Sequence, residues 1–361
     1  MKTGVTSAAE WVTARLPCDV THLDIAACGR VSTAVLDLET AHLRREASGG
    51  GYVAEAEAEE RLAAGREALA SMVGLRGSDV AFCESGGAAF SRLLSGWPLG
   101  RGARIGTVSG EYGANAAVLR QLAGQRGWHL VDVPVDGLGR IVDVPVGLDL
   151  VTFPHVPSQR GIVQDVDAIL RSSVPVVLDV AQSLGQVAVP AGCAGYIGTS
   201  RKWLCGPRGV GFLLADPAHE PGLTSPPTLA PTIHVGIRRF ESTEAHVAGR
   251  LGLGAAVQEW SPALPLVAID RTRELRELLT GLTSWHVVEP VTEPTAITTL
   301  APVRGQDPVA VRRDLLAQGF LTSAVPVTRA AEQTGPILRI STAAWVTTDD
   351  LLALARTLQA T

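Results

Sequence analysis

Between residues 54 and 215, short apolar runs alternate with longer stretches of helical periodicity, the pattern of an α/β domain in which helices separate buried strands. The spacing predicts a helix over residues 54–74, a strand at Val80–Cys83, and a helix at Gly87–Trp97 that Pro98 and Gly100 close. A strand at Ala103–Val108, a helix at Ala114–Gln125 and strands at His129–Val133 and Leu148–Thr152 follow. Val174–Leu178 is apolar throughout and ends on Asp179, as suits a parallel strand covered on both faces. Strands at Ala194–Gly198 and Val210–Ala215 flank Lys202, and Pro217–Pro231, with five prolines, reads as a surface loop or linker.

Beyond that loop the periodicity predicts helices at Ala245–Trp260 and Pro265–Leu279 and strands at Trp285–Val288, Ala296–Pro302 and Ile337–Ile340. Pro308–Gln318 is a helix with Asp307 as its cap and Pro308 in its first position, and Asp349–Leu358 is another. The expected organisation is an N-terminal arm over residues 1–50, a large α/β domain over 51–255 and a small α+β domain over 256–361.

Composition narrows the function. Apolar residues at 46% and charged ones at 19% exclude a disordered chain, and 361 residues suffice for two domains with a substantial core. A net charge of −5 without a basic block argues against nucleic acid as a partner. No apolar run approaches the ~20 residues that span a bilayer. The N-terminus also lacks a basic start with an apolar stretch, so the expectation is a cytoplasmic protein with no membrane partner. Five cysteines without CxxC spacing argue against a disulfide framework and a zinc site.

The charge inventory holds an oddity: of 31 basic residues, all but Lys2 and Lys202 are arginine. Arginine stays protonated, whereas a buried lysine can lose its proton and act as a nucleophile or base, so Lys202 is the first residue to examine.

Four polar clusters fall at the ends of predicted strands, where open α/β sheets bind ligands. Glu84-Ser85-Gly86-Gly87-Ala88 joins a strand to a helix, and its small residues would let backbone N–H groups approach a phosphate, though a plain tight turn reads the same way. Asp179-Val180-Ala181-Gln182 puts a carboxylate at the end of an apolar strand. There it could cap a helix, pair with an arginine, or face a protonated pyridine nitrogen. About 20 residues on, Thr199-Ser200-Arg201-Lys202-Trp203 combines hydroxyls, an arginine and the interior lysine, the spacing expected when a lysine forms a Schiff base with pyridoxal phosphate and an aspartate holds the ring. Arg339, inside the apolar Ile337–Ser341 run, needs a partner, either a structural carboxylate or the α-carboxylate of an amino-acid substrate.

Together these motifs resemble the class V aminotransferase family of fold-type I pyridoxal-phosphate enzymes, which includes cysteine desulfurases, kynureninases and epimerases, over roughly residues 20 to 358. The resemblance implies the fold-type I α/β architecture, pyridoxal 5′-phosphate as cofactor, an amino-acid substrate and a homodimer. It also implies that Lys202 bonds the cofactor, Asp179 pairs with the pyridinium, and Gln182 donates to the ring oxygen. Gly86, Gly87, Thr199 and Arg201 would hold the phosphate, Tyr112 would stack on the ring, Ser158 would approach cofactor and substrate, and Arg339 would bind the substrate carboxylate.

Two departures matter. Arg239-Phe240-Glu241-Ser242-Thr243-Glu244 lacks the Gly-Thr pair with which many relatives reach a neighbouring subunit's phosphate, and no cysteine follows Cys205, where a desulfurase needs its nucleophile. Further stretches, among them His22–Cys28, Gly50–Ala54, Gly110–Gly113 and Glu293–Pro302, resemble a carbon–sulfur lyase branch, implying β-elimination from a cysteine conjugate or sulfoxide. Alternatives are an aminotransferase, an epimerase or a different cysteine or selenocysteine lyase, or a non-catalytic protein of the same fold. Tyr52, which follows a Gly-rich turn, is the candidate proton donor to the leaving sulfur, the alternative being a tyrosine that packs a domain edge. Trp203, His155 and Glu244 are candidates for a cation-binding face, and Arg160 for the pocket. Cys28 is given no catalytic role.

Overall fold

A computed structural model of the chain describes residues 7–227 and 230–359, which leaves Lys2 and part of the predicted Pro217–Pro231 loop outside the described residues. The chain opens with helix α1 (Ala8–Thr13), strand β1 (Thr21–His22) and two helices, α2 (Thr33–Gly49) and α3 (Gly51–Ser71), that meet at Gly50. There follow β2 (Val80–Cys83), α4 (Gly86–Gly96), β3 (Arg104–Thr107), α5 (Gly113–Arg126), β4 (His129–Asp132), β5 (Leu150–Pro154), α6 (Val166–Leu170), β6 (Val176–Asp179), β7 (Gly195–Thr199) and β8 (Gly211–Ala215). After α7 (Ala230–Ile233) come α8 (Val247–Glu259), α9 (Ala263–Leu279), β9 (Trp285–Val287), β10 (Ile297–Pro302), α10 (Pro308–Ala317), β11 (Phe320–Leu321), β12 (Ser323–Val325), β13 (Ile337–Ser341) and α11 (Thr348–Gln359).

The larger sheet has seven strands in the order β2-β8-β7-β6-β5-β3-β4, and all but β8 run in one direction. Strand alternation sends successive residues to opposite faces. Val176 and Leu178 pack with Leu69 of α3 and Leu253 of α8, while Val177 packs with Phe90 and Leu93 of α4 and Leu119 of α5. The sheet is thereby closed between two helical layers, which is why its strands read as continuous apolar runs. This is the expected large, mostly parallel sheet.

A four-stranded antiparallel sheet, β12-β13-β10-β9, forms a second core with α9, α10 and α11. Asp307 caps α10 by accepting the Val309 N–H, with Pro308 in the first turn, as the sequence predicts. The expected boundary near residue 255 falls within α8, which packs along α2 and α3. The segment expected to be an arm therefore serves both units: α2 lies on α3 and α8, and β1 pairs in parallel with β11.

The Arg239-Phe240-Glu241 motif is structural within the protomer. Glu241 is buried and accepts from Arg66 at 3.1 Å, Arg250 at 2.8 Å and the backbone N–H of Phe82 at 3.1 Å, which pins β2 to α3 and α8.

Candidate active site

The strands that share a direction end at one edge of the large sheet, and the ends of β2, β5, β6 and β7 and the turn after β3 line a cavity of about 410 Å³. β2 leads through Ser85 into α4, whose first turn presents Gly86 and Gly87 to the cavity. Ser85 caps the helix by accepting the Ala88 N–H at 3.1 Å. A Cβ on Gly86 would stand 3.2 Å from the Gly198 carbonyl, and one on Gly211 would collide with the backbone of Ser85, so the turn seats on β7 and β8 only because both positions are bare. Thr199, which ends β7 and whose Cβ would stand 3.7 Å from one placed on Gly86, and Arg201 just after it line the same cavity. A helix N-terminus with exposed amides beside an arginine is an anion site.

At the end of β6, Asp179 is 7% exposed. Its two oxygens are held by the Ala181 N–H at 2.8 Å and the Asn115 amide at 2.9 Å. Burial pushes its carboxyl above the ordinary range, against the pull of Lys202. Asn115 also donates to Glu111 at 3.1 Å, and the Tyr112 N–H donates to the same Glu111 oxygen at 2.8 Å. Burial, together with Asp179, pushes the Glu111 carboxyl up to about 8, so it is mostly protonated at neutral pH. Tyr112 thus enters the cavity from a fixed backbone.

Lys202 follows β7 and lines the cavity. Its amine is lowered to about 7, chiefly by burial and in smaller part by Arg201, Arg339 and Arg329, against the opposing pull of Asp179. The Gln182 carboxamide is oriented by its neighbours: its Oε1 accepts the Trp203 indole N–H at 2.8 Å, and its Nε2 donates to the Ala26 carbonyl at 2.9 Å.

The other wall comes from the small sheet. Arg339 is buried on β13, donating to the Ser158 carbonyl at 2.7 Å and to Asp24 and Ser323, each at 3.2 Å. Its Nε is buried without a partner among the described residues, and the side chain is both ion-paired and part of the cavity wall. Both sequence readings of Arg339 are therefore compatible with its place.

Lys202, Asp179, Gln182, Gly86, Gly87, Tyr112, Ser158, Thr199, Arg201 and Arg339 all line this one cavity. Tyr52 does not. It is the second residue of α3, just past Gly50 at φ 89°, and it is 82% exposed because that turn points to solvent. Arg160 pairs with Glu332 at 3.4 Å outside the cavity. Trp203 is spent on Gln182, His155 is buried away from the cavity wall, and Glu244 is exposed, so none of the three gives the cavity a cation-binding face within the protomer. Sequence reasoning missed Asn115, Glu111, Asp24 and Arg329. Glu111 and Asn115, four apart at the start of a predicted helix, carried a local signal; Asp24 and Arg329 carried none.

Fold and site define a fold-type I pyridoxal-phosphate enzyme. The donor set fits the cofactor: an anion cradle whose glycine a Cβ would crowd, a buried carboxylate held at both oxygens, and a lysine amine close to neutrality. The chain belongs to the class-V aminotransferase family, whose model matches residues 21–273. It is 38% identical to a Mycobacterium tuberculosis (strain CDC 1551 / Oshkosh) protein described as "Probable hercynylcysteine sulfoxide lyase", the match covering 99% of this chain and 94% of that one. It is 27% identical to the isopenicillin N epimerase of Amycolatopsis lactamdurans, covering 98% of each. The fold superposes on the apo cysteine desulfurase of Thermococcus onnurineus NA1 with a TM-score of 0.86 at 17% identity, covering 99% of both chains.

Proposed function

We propose that the protein is a pyridoxal-phosphate-dependent carbon–sulfur lyase that splits a cysteine sulfoxide conjugate, hercynylcysteine sulfoxide, into a sulfenic acid, pyruvate and ammonia. The observation that carries the chemistry is the convergence of Lys202, Asp179 and Arg339 on one cavity. The leaving group is inferred from the nearly full-length likeness to the mycobacterial relative. A desulfurase would need a thiol that this chain does not have after Cys205.

Pyridoxal phosphate, when bound, supplies the electron sink for the pair released at Cα. Arg339 binds the substrate carboxylate, and Asp24 and the Ser158 carbonyl hold the guanidinium in place. Lys202, with its pKa near 7, has a free-base fraction at neutral pH and takes the Cα proton. Asp179, fixed by Asn115 and the Ala181 N–H, would supply the negative charge that keeps the cofactor's ring nitrogen protonated. The sulfur group then departs from Cβ, and the three-carbon fragment hydrolyses to pyruvate and ammonia. Tyr52, if it is the proton donor to sulfur, must reach the cavity from a second copy of the chain, and a cytoplasmic homodimer that brings it there is part of this reading.

The test is a pyruvate assay on the holoenzyme with cysteine sulfoxide conjugates and no keto-acid acceptor. Pyruvate release that Lys202→Ala abolishes supports the reading. A requirement for an acceptor would make the protein an aminotransferase, and a colourless preparation that takes up no cofactor would overturn the enzyme reading altogether.

A further inference from the structure

The cavity holds one cation that the proposed chemistry leaves unused. Lys202 is assigned to the proton, Arg201 to the cofactor phosphate, and Arg339 to the substrate carboxylate with Asp24 as its counter-ion. Arg329, also on the cavity wall, makes no side-chain hydrogen bond or ion pair with any described residue. Its guanidinium lies 5.4 Å from the centre of the Tyr112 ring. It lines the same cavity as Lys202 and Arg339, and its charge acts on both.

This position is built. Arg329 ends a single 3₁₀ turn, Val327–Arg329, in the loop between β12 and β13. A Cβ on Gly113 would collide with the Thr328 carbonyl and stand 3.2 Å from that of Arg329, so the turn rests on bare backbone at the start of α5. Three residues on, the Glu332 N–H donates to the Ser109 carbonyl at 3.1 Å, and the Glu332 carboxylate accepts from Gln159 at 3.0 Å and pairs with Arg160. The loop that carries Arg329 is thus fastened to the large unit on both sides of Tyr112.

We propose that Arg329 is a specificity-determining residue that binds an anionic oxygen on the substrate beyond Cβ, the sulfoxide oxygen as it becomes the oxygen of a departing sulfenate. This inference rests on the lyase reading for its substrate. In the step concerned, the Cα–H bond breaks with its proton passing to Lys202, a Cα–Cβ double bond forms, and the Cβ–S bond breaks with its electron pair going to sulfur. The resulting negative charge is shared with the sulfoxide oxygen. A guanidinium cannot give up a proton at working pH, but its N–H groups stabilise that oxyanion as it forms. In a desulfurase the loop ahead of the carboxylate arginine carries a thiol that attacks the sulfur; here the loop supplies a cation, which lets the sulfur group leave intact.

The experiment compares wild type, Arg329→Met and Arg329→Lys as holoenzymes. In the first arm, L-cysteate and L-alanine are titrated against the cofactor absorbance. Wild type should bind cysteate more tightly than alanine, and Arg329→Met should lose roughly tenfold or more of cysteate affinity with alanine unchanged. Arg329→Lys should recover part of the loss. In the second arm, pyruvate release is measured with an S-alkylcysteine sulfoxide and the matching thioether, and Arg329→Met should slow the sulfoxide about 100-fold while sparing the thioether. Equal losses for cysteate and alanine would mean that Arg329 binds a group common to both, and would overturn the proposal, as would unchanged cysteate binding. If the first arm holds and no sulfoxide yields pyruvate, the anion subsite stands and the lyase reading falls; if sulfoxides are cleaved and the first arm fails, the reverse is true.

Discussion

The indole N–H of Trp203 donates to Oε1 of Gln182 at 2.8 Å. An indole nitrogen has no acceptor capacity, so this bond settles which end of the carboxamide faces which way and leaves the NH₂ group for Ala26 and the cavity. Trp203→Phe keeps an aromatic ring but leaves a buried oxygen unpaired, and it should destabilise the protein by about 1–3 kcal/mol. It should also weaken pyridoxal-phosphate binding, because Gln182 is then free to flip. A fluorescence titration of the apoenzyme with the cofactor checks this, and unchanged affinity would show that Trp203 does not orient Gln182.

Asp24 and Arg339 form a second pair, at 3.2 Å, in which the arginine is buried. Removing the carboxylate strands a buried cation, so Asp24→Ala should cost about 3 kcal/mol in urea unfolding, the lower end for a broken buried pair. Asp24→Asn retains an acceptor for Ser323 and Arg339 and should recover a good part of that loss.

Glu241 is set deeper, with two arginines and a backbone amide converging on it. Glu241→Ala should destabilise by about 3–5 kcal/mol, since it leaves Arg66 and Arg250 buried without their anion. Soluble yield and unfolding midpoint report it.

Burial alone lowers the His155 imidazole to about 4. An unfolded chain takes up this proton below about pH 6.5, while the native protein resists until about 4, so the unfolded state binds more protons in that window and stability falls as the pH drops through it. Between pH 6.5 and 5 the loss should reach up to about 2 kcal/mol. His155→Gln should show a flatter slope over the same range in urea unfolding.

Lys202→Arg keeps the positive charge and removes the ability to lose a proton. It should lower pyruvate release by at least about 10²- to 10⁴-fold, as loss of a positioned base does. Substantial turnover by this variant would show that the site needs only a charge at residue 202.

The elements that could be read from the sequence were those with a continuous apolar face. Val80–Cys83 is predicted to the residue, and the ends of β6 and β7, which carry Asp179 and lead to Lys202, were legible because polar residues interrupt apolar runs there. Helix α2 was not, because its buried residues are only Val35 and His42 and leave no stripe to detect. β1, β11 and β12 span two or three residues each, below the reach of any periodicity. In the site, residues adjacent to a strand end were found, whereas partners brought in by tertiary folding were not. Asn115 meets Asp179 from 64 residues away and Asp24 meets Arg339 from 315, and no local pattern encodes either meeting. Tyr52 was singled out for its rarity and its Gly-rich neighbourhood, and the protomer places it on the surface.

The pairing of β1 with β11 joins Thr21 to Phe320 and His22 to Leu321. On the ribosome this has a temporal meaning. The seven-stranded sheet draws only on residues 80–215, so a nascent chain that has reached β8 already contains Gly86, Asp179, Thr199 and Lys202. The first strand still lacks its partner at that point, because β11 lies about three hundred residues after β1. Arg339 arrives later still. Biogenesis of the enzyme therefore has a built-in sequence of events, with the cavity wall from the large sheet synthesised early and the wall from the small sheet completed near the end of synthesis.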